Sequence, residues 1–258
     1  MSSLSHRRPV RSSSRGDSRF ATVDRMRFAA IVILAVITNV SFGQTDRPAG
    51  RFLFQPMLIW GTSEVTHQGT GYLITHKGRT YGVTSTHFLN FEANGLFEAI
   101  WLDIRTSEPV VGFRKSLGKP ALTAIVNDVD IQHDFLLLPT AETPANCATL
   151  QLTSDSGVLK KGTPLWFPNK NAQADNGYEW VAAEVVEDEG HVIRVKLLSK
   201  VKLQSQSGSP FLDRKTNAVV GMLMGGDDKE IYLCPARFIL KHLTSEPAEV
   251  PLMTSVRK

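Results

Sequence analysis

Short apolar runs separated by glycine, asparagine and proline recur along the first half of the chain, from residue 51 to residue 138. Runs recurring about every 8–12 residues predict an antiparallel β-barrel or sandwich. Gly78 follows Tyr72–Thr75 at a position that suits the positive φ of a tight turn, which predicts a hairpin here. Helical periodicity is absent from this half, apart from one turn near His87–Phe91. The predicted strands are Phe52–Ile59, Gly71–Thr75, Thr80–Thr84, Glu98–Ile104 and Ala121–Val126.

A polar connector that contains Pro144 precedes a second set of apolar runs. Gly162–Pro168 leads into a predicted strand, and further strands are predicted over Glu179–Val186, His191–Leu198, Ala218–Met224 and Glu230–Leu233. Ala236–Leu243 has apolar spacing and follows a proline, so it predicts a short helix. Two β-rich halves of similar size favour an all-β chain of two packed barrels. The predicted organisation is a leader over 1–43, an N-terminal barrel over 44–140, a connector over 141–155, a C-terminal barrel with its helix over 156–243, and a loose tail over 244–258.

The basic charge of the chain belongs to its first residues. Residues 1–43 hold seven arginines and two aspartates, a net charge of +5, while the whole chain carries +4. The remainder therefore carries −1, which gives no support to nucleic-acid binding. Arg25 and Arg27 precede an apolar run over Phe28–Val40 and small residues before Gln44. This pattern predicts a signal peptide over about residues 26–43 and a secreted or periplasmic protein. An uncleaved anchor, and a start at Met26 instead of Met1, stay open.

The two cysteines, Cys147 and Cys234, are compatible with a disulfide bond or with two buried thiols, and the sequence does not decide between these. No other cysteine or histidine stands near either of them at ligand spacing, so no structural zinc site is predicted.

The candidate chemistry lies in a loop of small residues around Ser207. Small residues allow backbone N–H groups to converge beside an exposed hydroxyl, which suits a serine nucleophile with an oxyanion hole. Serine needs a base within hydrogen-bond reach, and a carboxylate fixes the tautomer of that base. His87 and Asp134 supply these residue types upstream. Each residue also has a structural interpretation: a polar loop, a half-buried histidine and the start of a strand. His133 is expected to face solvent.

The sequence segments around these residues resemble the motifs of the trypsin-like (chymotrypsin-fold) serine proteases, of the compact bacterial type. The separations of 47 residues from His87 to Asp134 and of 73 residues from Asp134 to Ser207 also fit that family. The resemblance spans roughly residues 66–240. The segments that carry it are Gly69–Ile74, Gly82–Leu89, His133–Leu138, Ser205–Asp213, Val219–Met222 and Tyr232–Pro235.

The resemblance implies two six-stranded antiparallel barrels with the active site between them. It implies that Ser207 is the nucleophile, His87 the general base and acid, and Asp134 the residue that orients the histidine. The backbone N–H groups of Ser205 and Ser207 are implied to form the oxyanion hole. The implied activity is hydrolysis of protein or peptide substrates, with no cofactor and no metal ion.

The sequence departs from the family pattern immediately before the serine. The family usually has Gly-Asp where this chain has Ser205 and Gln206. A serine can restrict the backbone orientation there, and a glutamine cannot form an ion pair with a new N-terminus. A peptide-binding module without catalysis is therefore the alternative function. A metal site formed by His67, His87 and His133 is a third candidate, but these spacings follow no ligand pattern.

Alignment with the family implies a substrate pocket with Val201 at its floor and Met224, Gly225 and Gly226 in its wall. A neutral floor favours a small or apolar substrate side chain over arginine or lysine. Asp227 and Asp228 reverse this preference if their loop folds inward.

Overall fold

The computed structural model describes residues 47–60, 65–87, 96–119, 131–227 and 230–252. The predicted leader, the predicted strand over Ala121–Val126 and most of the turn after His87 lie outside these residues. The all-β prediction is confirmed, because antiparallel strands make up both halves of the described chain.

The N-terminal half is a sheet of seven strands paired in the order β6-β5-β1-β3-β4-β8, with β2 added beside β1. The predicted hairpin is present, with Thr75 opposite Thr80. The short strands β2, β6 and β7 were not predicted. The bounds are β1 Leu53–Trp60, β2 Val65–His67, β3 Gly71–His76, β4 Arg79–Thr84, β5 Leu96–Leu102, β6 Pro109–Phe113, β7 Lys115–Leu117 and β8 Leu136–Thr140.

The C-terminal half is a closed antiparallel barrel in the order β10-β11-β14-β13-β12-β9. Closure pairs β12 with β9 through Leu212 and Trp166, so that no strand of the barrel is left at an edge. The bounds are β9 Pro164–Lys170, β10 Tyr178–Asp188, β11 Ile193–Leu197, β12 Pro210–Asp213, β13 Val219–Gly226 and β14 Ile231–Pro235.

Large rings fill the N-terminal core above strand glycines. Trp101 and Phe113 are buried and meet edge to face, with their ring centroids 4.9 Å apart. A Cβ at Gly71 would come within 2.6 Å of the Trp101 ring, and one at Gly82 within 2.7 Å of the Phe113 ring. Glycine is therefore required at both positions because the two aromatic rings occupy the space of a side chain.

The two halves share one apolar cluster, and the connector lies along both of them. Leu150 forms a parallel bridge with Ile74 of the N-terminal sheet, and Leu152 forms another with Val219 of the C-terminal barrel. The cluster includes Phe52, Tyr72, Tyr178 and Leu212. The described residues belong to one compact unit, Phe42–Lys258. Residues from both halves can therefore contribute to one site.

The prediction of a short terminal helix is confirmed by α1, Ala236–Thr244, which buries Ala236, Ile239 and Leu243. The chain after this helix differs from the predicted loose tail. Glu249–Pro251 form a strand, β15, paired with β7. Glu249 also forms ion pairs with Arg79 at 2.5 Å and Lys115 at 3.3 Å. These partners are distant in sequence, so local composition does not reveal the strand.

No disulfide bond joins Cys147 and Cys234, which decides the question that the sequence left open. Cys234 is buried, whereas Cys147 is partly exposed. Within the described ranges, no helix is long and apolar enough to cross a membrane.

Candidate active site

The pairing of β4 with β8 brings His87 close to Asp134. Thr84, the last residue of β4, lies opposite Leu136, the first residue of β8. Two residues further along, where the strands have ended, Thr86 therefore meets Asp134. A short 3₁₀ turn over Ile131–His133 leads into Asp134.

Asp134 is fully buried and accepts four hydrogen bonds. Its Oδ1 accepts from the backbone N–H of Thr86 at 2.9 Å, the Thr86 hydroxyl at 3.0 Å and the backbone N–H of His87 at 2.7 Å. Its Oδ2 lies 2.8 Å from Nδ1 of His87, whose side chain is 21% exposed. A carboxylate at this distance holds the proton of a neutral histidine on Nδ1, which leaves Nε2 as an acceptor. The arrangement prepares His87 to take a proton at Nε2.

Ser207 lies at the end of a tight turn before β12. Gln206 N–H donates to the Leu203 carbonyl at 3.1 Å, and Ser205 has φ +61°. These features define a type II turn with a non-glycine residue in the left-handed position. The Ser207 side chain is partly exposed, and its Oγ donates to the Met224 carbonyl at 3.1 Å.

Backbone hydrogen bonds hold this loop against the N-terminal half. The Thr70 N–H donates to the Ser207 carbonyl at 2.7 Å, and the Thr70 hydroxyl donates to the Ser205 carbonyl at 3.1 Å. A Cβ at Gly208, which has φ +91°, would lie 2.1 Å from the Thr70 carbonyl and 3.2 Å from the Ser85 nitrogen. The loop that carries Ser207 therefore packs against the segment that leads to His87.

The resemblance assigns the oxyanion hole to the N–H groups of Ser205 and Ser207. Within the described part of the chain, no backbone hydrogen bond uses the N–H of Ser205 or Ser207. A substrate oxygen that develops negative charge is stabilised by donors of this kind, because they need no reorientation during the reaction.

Sequence analysis missed two residues of this region. Thr86 carries a hydroxyl that donates to Oδ1 of Asp134. Lys170, at the end of β9, donates from Nζ to Oε1 of Gln55 at 2.7 Å and to the Gly69 carbonyl at 2.9 Å. Burial lowers the pKa of Lys170 to about 8. No local motif marks either role.

A cavity of about 270 Å³ lies beside the turn. Val201 lines it, together with Leu203, Ile231 and the charged residues Lys200 and Asp227. The predicted wall residues Met224, Gly225 and Gly226 do not line it. Met224 instead offers its carbonyl to Ser207.

In the described ranges, no group of three or more histidine, cysteine, aspartate or glutamate side chains is arranged to hold a metal ion. His67, His87 and His133 accordingly do not form a metal-binding group.

No protein-family model matches the sequence, and no curated protein sequence matches it. Solved structures do match. Human heparin binding protein, a chymotrypsin-fold serine protease homologue, superposes with a TM-score of 0.54 at 14% identity, over 75% of this chain and 90% of that one. The chain has the trypsin-like fold. The inactive form of Rv3671c from M. tuberculosis H37Rv, a Ser343Ala mutant, superposes with a TM-score of 0.44 at 14% identity, over 74% of this chain and 86% of that one.

Proposed function

We propose that the protein is a serine endopeptidase that hydrolyses peptide bonds through an acyl-enzyme. The observation that carries this proposal is the hydrogen bond of 2.8 Å between Nδ1 of His87 and the buried carboxylate of Asp134. A carboxylate with no exposed surface needs hydrogen-bond donors, and the backbone and ring of His87 supply two of the four. The structural alternative is a half-buried histidine that the same carboxylate holds without catalysis, and labelling of Ser207 separates the two.

The proposed reaction begins with Ser207. Its Oγ attacks the carbonyl carbon of the substrate while its proton passes to Nε2 of His87. Asp134 stabilises the imidazolium that results. The N–H groups of Ser205 and Ser207 bind the oxyanion, the protonated His87 gives its proton to the leaving amine, and water then releases the acyl group by the reverse steps.

Labelling with a fluorophosphonate tests this proposal. Folded wild-type protein is expected to be modified at Ser207, and Ser207→Ala and His87→Ala are expected to abolish modification while the circular dichroism spectrum is retained. Ser156 lies on the exposed surface, so Ser156→Ala is the matched control and should label as wild type does. Mass spectrometry identifies the modified residue. Folded wild-type protein that is not labelled between pH 7 and pH 8 contradicts the proposal.

A peptide-binding module without catalysis is the second candidate, and one observation favours it. The Ser207 hydroxyl donates its single proton to the Met224 carbonyl, so in this rotamer it does not offer that proton to His87. The hydroxyl must therefore turn away from the Met224 carbonyl before attack. An unlabelled protein that binds peptides, with an affinity unchanged by Ser207→Ala, supports this candidate.

We also propose that the cavity beside the turn accepts an apolar substrate side chain, because Val201, Leu203 and Ile231 line it. Peptide substrates that differ only in the residue before the cleaved bond test this. Leucine or valine should give a higher kcat/KM than arginine or aspartate. A preference for arginine would instead assign Asp227 as the recognition group.

The proposal includes export from the cytoplasm, which is supported by the basic residues and the apolar run of the predicted signal peptide. N-terminal sequencing of protein recovered outside the cytoplasm is expected to begin at Gln44. Recovery in the cytoplasm with an intact N-terminus contradicts this part of the proposal.

A further inference from the structure

Gln206 stands between the two residues of the proposed oxyanion hole and is almost fully buried, with 3% exposure. Its Nε2 donates to Oδ1 of Asn169 at 3.0 Å and to the Lys170 carbonyl at 3.4 Å. Its Oε1 accepts from the Lys170 N–H at 3.1 Å and from the Ser209 hydroxyl at 3.4 Å. The side chain therefore pairs with both backbone groups of Lys170, as a neighbouring strand would.

Lys170 also connects this network to the opposite side of the loop. Its ammonium group donates to the carbonyl of Gly69, and the next residue, Thr70, donates two hydrogen bonds to the loop. The segment Ser205–Ser207 is thus held from the C-terminal barrel through Gln206 and from the N-terminal sheet through Thr70.

None of the groups that bind the Gln206 side chain is charged. A buried carboxylate at this position would require a cation or several donors. The amide needs two donors and two acceptors, and Asn169, Lys170 and Ser209 supply them within the folded chain. Among the described residues, the partners of this side chain are thus neutral groups inside the folded chain, and no terminal amino group is one of them.

We propose that Gln206 is a positioning residue, and that its neutral hydrogen bonds to Asn169 and Lys170 aim the N–H groups of Ser205 and Ser207 at the reacting carbonyl without a newly formed N-terminus. This inference rests on the proposed peptidase function. It predicts that the site is competent as soon as the chain folds.

Gln206→Met keeps the length of the side chain and removes its four hydrogen bonds. We expect kcat on a peptide substrate to fall about 10²-fold while KM changes little, because an oxyanion donor acts mainly in the transition state. Gln151 is exposed, so Gln151→Met is the matched control and should keep the wild-type kcat. A folded Gln206→Met variant with a kcat within twofold of wild type overturns the inference, since a purely structural role would lower only the melting temperature.

The variant Gln206→Glu tests the same inference if Gln206→Met does not fold. A protonated glutamic acid can still donate towards Asn169 or the Lys170 carbonyl, whereas an ionised one only accepts. Burial at this position raises the pKa of the introduced carboxyl above its ordinary value of about 4.3, so the ratio of variant kcat to wild-type kcat should fall as the pH rises from 5.5 to 9. A ratio that does not change with pH overturns the inference. Loss of the fold in both variants also overturns it, because Gln206 would then support the barrel as a whole.

The dependence on the N-terminus is tested directly. Chains that begin at Gln44 with a free amine, with an acetylated amine or with a short extension should have equal kcat. A loss of more than tenfold on blocking the amine overturns the inference. Folded wild-type protein that is inert in every form overturns the peptidase proposal itself, whereas active wild type with an equally active Gln206→Met variant overturns only the role of Gln206.

Discussion

The Nζ atom of Lys170 lies 2.9 Å from the carbonyl oxygen of Gly69, and its other acceptor is the neutral side chain of Gln55. Burial is the cause that lowers the pKa of Lys170 to about 8, because desolvation penalises the charged ammonium. The ordinary value in an unfolded chain is about 10.4. Between these two pH values the unfolded chain binds more protons than the folded chain, so this group makes stability rise with pH.

We therefore expect the free energy of unfolding of the wild type, relative to that of Lys170→Gln, to increase between pH 7.5 and pH 10.5. The limit is about 3 kcal/mol, since each unit of pKa corresponds to about 1.4 kcal/mol. Urea titrations at several pH values measure this difference, in which groups common to both proteins cancel. Lys161 is exposed, and Lys161→Gln should show no such trend. If the difference stays constant over this range, burial does not lower the pKa of Lys170 in the folded protein.

Asp134→Asn tests the orientation of His87. An asparagine can keep the acceptor that binds the two backbone N–H groups of Thr86 and His87, but it presents an N–H to Nδ1 of the ring. The histidine then carries its proton on Nε2, the wrong nitrogen for a base. We expect kcat to fall about 10⁴-fold. The matched control is the exposed Asp175→Asn, which should retain full activity. Activity within tenfold of wild type would remove Asp134 from the proposed mechanism.

Ser205→Gly tests the strain in the turn before the nucleophile. A non-glycine residue at φ +61° destabilises the folded state by about 1–2 kcal/mol through backbone strain, which a glycine removes. Glycine also increases the conformational entropy of the unfolded chain, which offsets about 0.5–1 kcal/mol of that gain. The net expectation is stabilisation by about 0.5–1 kcal/mol, with kcat equal to or above that of the wild type. Ser205→Ala keeps the strain and should show no gain in thermal or urea denaturation. A less stable glycine variant would contradict the left-handed conformation of the turn.

The three catalytic candidates can be identified from sequence because each stands beside a recognisable strand. His87 follows the run that becomes β4, and Asp134 precedes the run that becomes β8. Pairing of these strands then brings the two residues together through regular geometry. Ser207 is marked by its small neighbours. The same strand patterns suffice to predict the all-β class, and the apolar spacing that follows Pro235 predicts the terminal helix.

The residues that support the site are not identifiable in this way. Thr86 and Lys170 act through atoms 48 and 101 residues away in the chain, and their own neighbours form no motif. The network around Gln206 is likewise visible only in three dimensions. From the sequence alone, this glutamine indicates only that an ion pair with a new N-terminus cannot form. Strand β15 is three residues long and depends on pairing with β7. A strand this short shows no alternation, so only its partner reveals it.

A side chain at a position of positive φ can destabilise the protein through backbone strain and through a steric clash, and a comparison of Gly208 with Gly162 distinguishes the two effects. A Cβ at Gly208 would lie 2.1 Å from the Thr70 carbonyl, whereas one at Gly162, which has φ +81°, would meet nothing within 4 Å. Gly162→Ala should therefore lose only about 1–2 kcal/mol from backbone strain. Gly208→Ala should lose about 2 kcal/mol more and also lose fluorophosphonate labelling, because the loop must shift away from Thr70. Equal losses of stability in the two variants would show that the loop is not in close contact with Thr70.

Helix α1 is attached to the C-terminal barrel by an ion pair between Arg237 and Asp188, whose closest atoms are 2.5 Å apart. Burial acts to raise the pKa of Asp188, but hydrogen bonds from Arg237 and from the backbone N–H groups of Leu159 and Gly190 outweigh it, so the pKa lies below its usual range. Because the folded pKa is depressed, this carboxylate contributes stability that is present above the unfolded pKa of about 3.9 and is lost as the pH falls through the folded value.

Asp188→Asn should therefore destabilise the protein at pH 7 by about 2–4 kcal/mol, since it leaves the guanidinium of Arg237 partly buried without its counter-ion. The gap between the two proteins should narrow below about pH 4, because there the unfolded wild-type chain begins to bind a proton at this carboxylate before the folded chain does. Thermal unfolding at pH 7 and at pH 3 measures both effects. Glu246 pairs with Lys77 on the exposed surface, so Glu246→Gln is the matched control and should not change the melting temperature measurably. If Asp188→Asn were as stable as the wild type at pH 7, the ion pair would not be what holds the helix against the barrel.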